Sequence, residues 1–316
     1  MTATVSCIDV GQGDSTVAVD HASRAALVID CPAGRHDAAL AELSHLGAER
    51  VDVVISSHSQ ADHFGGVLDV IESLAERFTG VLYLNHDRLI PMPSPGESTR
   101  DAARRLRALL NRARELKPRV RRAEVPPPIA GSLGALQWEL VAPTYDEAAD
   151  AVARSNPNLA SGVVVLTLGA QRVIIGGDAQ LPTWERLAGT LPTGAVVRWP
   201  HHGGRLSDSP GAHSRVLAVL KPSMVLVSVG AKNRFGHPSA AFFDTVTAET
   251  VPLVCTNVTV TCCAGRSRPG VCAGTIRVEL DGSSPMPVVR PNRADHDSFI
   301  RNLGAAQCLR KPGTAI

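Results

Sequence analysis

The chain has 316 residues and a formal net charge of +2, and 44% of its residues are hydrophobic, which suffices for one large or two small folded domains. This composition excludes disorder as the default, and so small a net charge indicates no partner by itself. No apolar run reaches the length of a transmembrane helix. Residues 1–10 lack the basic and apolar regions of a signal peptide, so we expect a cytoplasmic location.

Hydrophobic periodicity and turn residues predict alternating strands and helices along most of the chain. The closely spaced N-terminal strands predict an antiparallel meander, and the C-terminal segment 283–316 is rich in Pro and Arg. The predicted elements are, in chain order, strands 4–10, 15–19 and 25–30, helix 36–47, strand 51–55, helix 67–78, strand 81–84, helix 99–117, strands 135–141, 162–168 and 172–176, helix 182–190, strand 195–199, helix 211–219, strand 224–229, helix 239–247, strands 252–261 and 274–280, and helix 296–304.

The predicted helix 99–117 lies in the most basic segment of the chain. Residues 100–122 contain ten lysines or arginines and two acidic residues, a local net charge of +8. These side chains suit a nucleic-acid backbone, whose binding is electrostatic. A solvated face of an amphipathic helix explains them as well, and we favour it because an aromatic content of 3% offers few stacking partners for bases.

Four polar clusters follow predicted strands, where loops at one edge of a sheet sandwich can bring them together. The clusters are His58-Ser59-Gln60-Ala61-Asp62-His63, Gly177-Asp178, His201-His202 and Asn233-Arg234-Phe235-Gly236-His237. Imidazole combined with carboxylate is a donor set that suits zinc, manganese or iron. Any one cluster can be a merely polar loop, but four of them in a chain with 11 histidines predict a metal site.

These clusters also carry a family resemblance. His58-x-x-x-Asp62-His63, followed by Gly65-Gly66, resembles the histidine–aspartate signature of the metallo-β-lactamase superfamily. Within it, the chain resembles the hydrolase domain of the ComEC competence family, which is associated with DNA uptake. The similarity covers roughly residues 4–282, with matching segments at 8–15, 28–30, 177–178, 201–203 and 233–238.

The resemblance implies an α/β (α+β) fold, a four-layer αββα sandwich with a metal pair at one edge. We expect this hydrolase domain over residues 1–282 and a tail over 283–316 that can pack on it. The implied ligands are Asp62, His63, Asp178 and His237 for one metal, and His58 with one histidine of the His201-His202 pair for the other, with Asp178 bridging. Which histidine of the pair is the ligand stays open. The expected cofactor is Zn²⁺, as one or two ions, with Mn²⁺ or Fe as alternatives.

Two features depart from the family pattern. Gln60 stands where the superfamily often has a histidine and the ComEC-like branch often an aspartate, and its neutral carbonyl oxygen is a poorer metal ligand. The sequence therefore predicts a weak, solvent-rich or empty site at His58. ComEC-like domains usually accompany membrane segments, and none is predicted here, so we do not expect this chain to be an uptake channel.

The expected activity is that of a phosphodiesterase or nuclease that uses a metal-bound hydroxide, with Asp62 and Asp178 as the catalytic carboxylates. A phosphodiester, including nucleic acid, is thus the expected substrate. The candidates for contacts with phosphate oxygens are Arg205, Ser207, Asn233 and Arg234, with surface solvation as the alternative. Asp14 and Asp30 are candidates for holding the ligand histidines by hydrogen bonds, although turn or strand-end roles explain them equally well.

Two other functions stay open, because the same metal site serves many reactions. One is hydrolysis of another small ester of the phosphocholine type, a lactone or an amide. The other is a non-catalytic binding or sensor protein with a degenerate metal site, which Gln60 favours.

Seven cysteines in a chain without an export signal predict reduced thiols or a metal site rather than a disulfide framework. Four of them lie within 18 residues and are a candidate structural zinc site: Cys255, Cys262, Cys263 and Cys272. Their spacing departs from paired Cys-x-x-Cys knuckles, so we favour buried, unreactive thiols. His296 and Cys308 are the residues of the tail that would complete such a site.

Overall fold

The computed structural model describes residues 1–84, 98–115, 119–122, 129–262, 270–303 and 306. The strands of the described residues are β1 (Ala3–Cys7), β2 (Thr16–Asp20), β3 (Ala25–Ile29), β4 (Arg50–Ile55), β5 (Phe78–Leu84), β6 (Arg119–Arg122), β7 (Ile129–Leu133), β8 (Leu136–Ala142), β9 (Val163–Leu168), β10 (Gln171–Ile175), β11 (Val196–Arg198), β12 (Met224–Val227), β13 (Leu253–Cys255), β14 (Asn257–Val258), β15 (Gly270–Val271), β16 (Ile276–Leu280) and β17 (Val288–Pro291). The helices are α1 (His36–His45), α2 (Ala61–Phe64), α3 (Val67–Leu74), α4 (Thr99–Glu115), α5 (Tyr145–Ala153), α6 (Leu181–Arg186), α7 (Ala212–Leu220), α8 (Ala240–Ala248) and α9 (His296–Asn302).

Two large mixed sheets contain most of these strands. One has the order β17-β16-β1-β2-β3-β4-β5-β6, and the other has the order β13-β12-β11-β10-β9-β8-β7. The predicted antiparallel meander of β1, β2 and β3 is confirmed, and β3 to β6 then run parallel. In the second sheet β10 to β13 run parallel. The carboxyl ends of parallel strands lie at the same edge of a sheet, so the loops after β10, β11 and β12 meet at one edge.

The apolar side chains form three layers, because successive residues of a strand face opposite sides of the sheet. Between the sheets, Leu27 of the first sheet belongs to the same buried cluster as Leu166 of the second. The outer face of the first sheet packs against α1 and α3, for example through Val28 and Leu43. The outer face of the second sheet packs against α6, α7 and α8, where Trp184 is completely buried. The predicted four-layer αββα sandwich is therefore confirmed.

The C-terminal segment adds to both sheets. β17 pairs antiparallel with β16 at an edge of the first sheet, and Ile300 of α9 joins the apolar cluster outside the second sheet. The sequence predicted α9 but not β17, because its two valines stand between Pro287 and Pro291, and proline has a low strand propensity. The division of the chain at residue 282 stays a prediction.

Several predicted elements end earlier than expected, and for two of them the local cause is visible. The predicted helix 67–78 ends at Leu74, because Ala75 has a φ of 47° and the chain turns there into β5. The predicted strand 4–10 ends at Cys7, since the amide of Val10 donates a hydrogen bond to the carbonyl of Ile8 at 3.0 Å and so closes a turn. The sequence also missed α5, although Thr144 and Glu147 form a capping box at its start.

The predicted basic helix is confirmed as α4, and residues 116–117 of that prediction lie outside the described residues. An ion pair joins it to α3, where Nη1 of Arg112 lies 2.7 Å from Oδ1 of Asp69. Arg100, Arg104 and Arg107 are exposed to solvent. No helix of the described segments combines the length and the apolar character needed to cross a bilayer.

Candidate metal centre

Loops after four strands bring the predicted histidines and aspartates together. The loop after β4 holds His58 and leads into α2, which contains Asp62 and His63. Asp178 follows β10, and a φ of 49° at Gly177 turns the chain there. A side chain at this glycine would come within 2.5 Å of Oγ of Ser161, so the turn needs glycine.

The other two loops follow β11 and β12. His201 and His202 both adopt a left-handed backbone conformation, with φ angles of 53° and 54°, which directs two consecutive imidazoles towards the centre. The loop after β12 holds His237 through Asn233, whose Oδ1 accepts a hydrogen bond from the His237 amide at 2.8 Å. Nδ2 of the same asparagine donates to the carbonyls of Gly230 and His237 at 2.9 Å and 2.8 Å.

The carboxylate of Asp178 lies between four imidazoles. Its Oδ1 is 3.3 Å from Nε2 of His63 and 3.7 Å from Nε2 of His202. Its Oδ2 is 3.7 Å from Nε2 of His58 and 3.8 Å from Nε2 of His201. The two oxygens of one carboxylate thus face two different pairs of histidines.

The buried polar atoms of this cluster fit a divalent cation. Within the described part of the chain, Oδ1 of Asp178 and the Nε2 atoms of His63 and His202 are buried and have no hydrogen-bond partner. Ligand atoms of these three residues and of Asp14 all lie within 4.8 Å of one another. Such unpaired buried groups are costly, and a cation among them would satisfy all of them at once.

Hydrogen bonds from outside the cluster fix the orientation of two imidazoles. Nδ1 of His63 lies 2.8 Å from Oδ2 of Asp30, and this carboxylate also accepts hydrogen bonds from the amide and hydroxyl of Ser57 at 2.7 Å and 2.6 Å. Nδ1 of His202 lies 2.9 Å from the carbonyl oxygen of Ser228. With Nδ1 as the donor, each ring directs the lone pair of Nε2 towards Asp178, as metal-binding histidines do.

Opposed pKa shifts show that the centre attracts positive charge. Burial alone would lower the pKa of His63, but the carboxylates of Asp178 and Asp30 raise it well above its ordinary value. Burial alone would raise the pKa of Asp178, but His63, His201 and His202 hold it well below its usual range. A dication placed between these groups would take over the role of the proton on His63.

Three further ligand candidates, His58, His202 and His237, have lowered pKa values and are neutral imidazoles. Burial, together with the neighbouring His63, lowers the pKa of His58 to about 4. Burial and His201 likewise lower the pKa of His237 to about 4, and burial lowers that of His202. Neutral histidines have a free lone pair at neutral pH and are ready to bind a metal.

The predicted ligands Gln60, Asp62 and His237 lie around this cluster. Oε1 of Gln60 is 3.1 Å from Nε2 of His58. Although its burial opposes ionisation, Asp62 has a lowered pKa, chiefly because of the positive charge on His63. The His237 ring centroid lies 5.2 Å from that of His201 and 6.2 Å from that of His202. All predicted ligands therefore lie in one region of the molecule.

The predicted phosphate-binding residues differ in their surroundings. Arg205 is exposed and forms an ion pair with Asp208, whereas the amide group of Asn233 is used within the His237 loop. The guanidinium of Arg234 lies 5.0 Å from the centre of the exposed Phe235 ring. Ser207 is half-buried. Their roles towards a substrate stay predictions.

Sequence analysis missed a buried arginine beside the centre. Arg198 ends β11 and forms an ion pair with Asp14, the aspartate that faces Nδ1 of His202 at 3.3 Å. Burial lowers the pKa of Arg198 to about 10, which still leaves it charged at neutral pH. The signal was present, since a charged residue interrupts the apolar run Val196-Val197-Arg198-Trp199.

The cysteines of the predicted structural zinc site do not belong to the group of close ligand atoms found among the described residues. Cys255, Cys262 and Cys272 are buried, and Sγ of Cys272 is 3.6 Å from Nε2 of His296. The predicted partners Cys263 and Cys308 lie outside the described residues. The structural zinc site stays a prediction. The contact between Cys272 and His296 is consistent with it.

The fold and the site agree with a sequence comparison. The sequence profile of the Metallo-beta-lactamase superfamily matches residues 8–197, which is more than half of the chain. The chain therefore belongs to the metallo-β-lactamase superfamily. A search of curated proteins gives no significant match.

Several solved structures are similar at low identity. Zn²⁺-bound PqqB from Methylobacterium extorquens is 12% identical with a TM-score of 0.45, and the match covers 81% of this chain and 97% of that one. The short form of human tRNase Z is 10% identical with a TM-score of 0.42, covering 73% of this chain and 93% of that one. A mutant of CmlA beta-hydroxylase is 11% identical with a TM-score of 0.44; the match covers 78% of this chain but only 50% of that protein. The family assignment rests on the superfamily profile and not on these structures.

Proposed function

We propose that this chain is a metal-dependent phosphodiesterase, and more specifically a nuclease that resembles the ComEC hydrolase domain. The observation that supports this most is the position of Asp178, whose two carboxylate oxygens face different pairs of histidines. A carboxylate in this position suits a bridge between two cations, and a pair of metal ions suits the displacement of a phosphoryl oxygen. Zn²⁺ is the proposed metal, because imidazole and carboxylate are ligands that it accepts.

Each residue has a proposed task. His58 and His201 would hold one cation on the Oδ2 side of Asp178, and His63 and His202 would face the other on the Oδ1 side, with Asp62 and His237 completing the set. A bound dication makes a coordinated water acidic enough to supply hydroxide near neutral pH. The Asp62 carboxylate would orient the water or take its proton. Arg205, Ser207 and Arg234 would contact the phosphate oxygens of the substrate. The two arginines are best suited to this, because a guanidinium is planar and has several donors.

The ComEC-like assignment rests on the motif order in this chain. The segments around Asp14, Asp30 and Asp178 resemble that branch, and each of these aspartates contacts a histidine of the centre. Nucleic acid is accordingly the proposed substrate class.

The test is hydrolysis by protein of measured metal content. Zinc-loaded and Mn²⁺-loaded protein is incubated with single-stranded DNA, double-stranded DNA, RNA and a chromogenic phosphodiester. We expect cleavage of at least one nucleic acid and of the chromogenic diester, and loss of both in D62A. Cleavage that persists in D62A would indicate a contaminating nuclease and overturn the proposal.

Gln60 supports one alternative, a protein that binds a ligand without turning it over. Its amide oxygen lies beside Nε2 of His58, where the family pattern has a stronger metal ligand. If the metal site at His58 stays empty for this reason, hydrolysis would be lost. Nucleic acid that binds without cleavage, for every metal tried, would favour this function. Turnover of a small carboxylic ester or lactone alone would favour a different hydrolase.

A further inference from the structure

A charged side chain lies in the apolar layer between the two sheets. Val196 and Arg198 are two residues apart on β11 and face the same side, and Val196 belongs to the buried cluster between the sheets. Arg198 is 1% exposed. A guanidinium in such a place is unfavourable unless its charge is compensated and its donors are used.

The compensating group comes from the other sheet. Arg198 forms an ion pair with Asp14, and its Nη1 donates to Oγ1 of Thr16 at 3.2 Å. Asp14 lies in the loop between β1 and β2, and Thr16 begins β2. The ion pair therefore connects the first sheet with the second sheet next to the metal centre.

Asp14 is close enough to the centre to be a ligand itself. It belongs to the group of four residues whose ligand atoms lie within 4.8 Å of one another, together with His63, Asp178 and His202. One of its oxygens, Oδ1, lies 3.3 Å from Nδ1 of His202, and the other, Oδ2, lies 3.9 Å from Nδ1 of His63. Both distances are to the Nδ1 atoms, on the sides of the rings that face away from Asp178.

We infer that Arg198 is a positioning residue that keeps Asp14 outside the set of metal ligands. The guanidinium pairs with Oδ2 of Asp14, and Oδ1 stays 3.3 Å from Nδ1 of His202, on the side of that ring that faces away from Asp178. The positive charge also balances a carboxylate that would otherwise face the cation directly. The inference needs a cation at the centre, as the proposed function does, but it does not need any particular substrate.

A buried carboxylate that loses its arginine must find another cation. In R198M the nearest place is the metal centre, so Asp14 would turn towards the metal and join the ligands. The metal-free variant would then be destabilised by an unpaired charge, and zinc would restore much of the loss. Removal of both charges in the double variant D14N/R198M would abolish this extra dependence on zinc.

The experiment measures thermal unfolding of the full chain with EDTA and with Zn²⁺, for the wild type, R198M, R198K and D14N/R198M. We expect the rise in Tm caused by zinc to be larger in R198M than in the wild type by about 5 °C. R198K, which keeps the charge, and the double variant are expected to show the wild-type rise. Cobalt-substituted R198M is expected to show weaker visible absorption than the wild type, because an added carboxylate ligand raises the coordination number.

The matched control is R277M, which breaks a partly buried ion pair with Glu42 of α1, a residue outside the candidate metal ligands. It should lower Tm equally with and without zinc. An equal effect of zinc on R198M and the wild type would mean that Arg198 is merely structural, and would overturn the inference. Absence of any zinc effect in the wild type would overturn it as well. If R198M folds neither with EDTA nor with Zn²⁺, a rise in Tm with zinc that differs between R198K and the wild type would overturn the inference.

These readouts separate the inference from the proposed function. Failure of the wild type to cleave any phosphodiester, with zinc bound and the R198M response as expected, would remove the proposed activity and leave the role of Arg198 intact. Cleavage by the wild type with an unchanged zinc response in R198M would do the reverse.

Discussion

Nε2 of His63 lies 3.3 Å from Oδ1 of Asp178, and both side chains are buried at the edge shared by the two sheets. In the absence of a metal this contact contributes to the raised pKa of His63 and to the lowered pKa of Asp178. A proton between His63 and Asp178 occupies the place that a metal cation would take. Metal binding at this contact should therefore release a proton.

Replacement of the central carboxylate should remove the metal. In D178N only one oxygen remains, and the amide nitrogen would face two imidazole lone pairs. We expect zinc affinity to fall at least ~100-fold, more than the loss of a residue that only orients a ligand. Metal analysis after dialysis and zinc titration measure this. D244N, at an exposed position on α8, is the control, and retention of full zinc content by D178N would contradict the central role of Asp178.

A stronger ligand at position 60 should strengthen the site at His58. Oε1 of Gln60 lies 3.1 Å from Nε2 of His58, so a histidine or aspartate there would have its donor atom near the same place. We expect Q60H and Q60D to raise the zinc content at a fixed free zinc concentration, up to about two ions per chain. An unchanged zinc content in both variants would show that Gln60 does not limit the occupancy of this site.

The position of His237 should depend on a glycine in the neighbouring loop. A Cβ at Gly204 would lie 2.3 Å from Cε1 of His237, which is far inside van der Waals contact. G204A should displace the imidazole and lower hydrolysis by at least ~10-fold, with a smaller effect on Tm, because the His237 loop is partly exposed. G270A, where a Cβ meets no atom within 4 Å, should behave as the wild type. Full activity in G204A would mean that His237 does not hold the metal.

The sequence predicted which loops form the centre, because each polar cluster directly follows an apolar strand. It could not predict which oxygen of Asp178 each histidine faces, since this depends on the left-handed backbone of His201 and His202. The ion pair of Arg198 with Asp14 was hidden for a similar reason. Only the packing of the two sheets brings residues of β11 close to the loop before β2.

A buried ion pair on the first sheet should make stability depend on pH. Glu42 of α1 accepts two hydrogen bonds from Arg277, both at 2.7 Å, and a third from Ser6 at 2.7 Å. Burial opposes ionisation, but these bonds lower the pKa of Glu42 below its ordinary 4.5. Its contribution is therefore complete above pH 4.5 and is lost as the pH falls through the lower folded-state pKa.

We expect E42Q to lower the free energy of unfolding at pH 7 by about 2 kcal/mol. The difference between E42Q and the wild type should shrink below pH 4.5, where the carboxylate of the wild type becomes protonated as well. Urea unfolding at several pH values measures it. E249Q, at an exposed position, should show no such trend, and a difference for E42Q that stays constant down to low pH would contradict this account.

Part of the basic segment lies at the same edge as the metal centre. The register aligns Ile55 with Tyr83 and Tyr83 with Arg121, so Arg121 lies two strand spacings, about 10 Å, from the end of the strand that leads to His58. Arg100 and Arg104 lie in the first turns of α4, the helix that precedes β6 in the chain. All three arginines are exposed.

We expect these arginines to contact the backbone of the proposed nucleic-acid substrate rather than to serve solvation alone. The triple variant R100A/R104A/R121A should weaken binding of single-stranded DNA and reduce the slope of log K against log salt by about 2, since each lost phosphate contact contributes ~0.7. Hydrolysis of a small chromogenic diester should not change, because that substrate does not reach these arginines. Fluorescence anisotropy at several salt concentrations measures the slope, with R154A/R215A/R290A as a control of equal charge on other exposed surfaces. Equal slopes for both triple variants would indicate that the basic segment is a solvated surface that does not contact DNA.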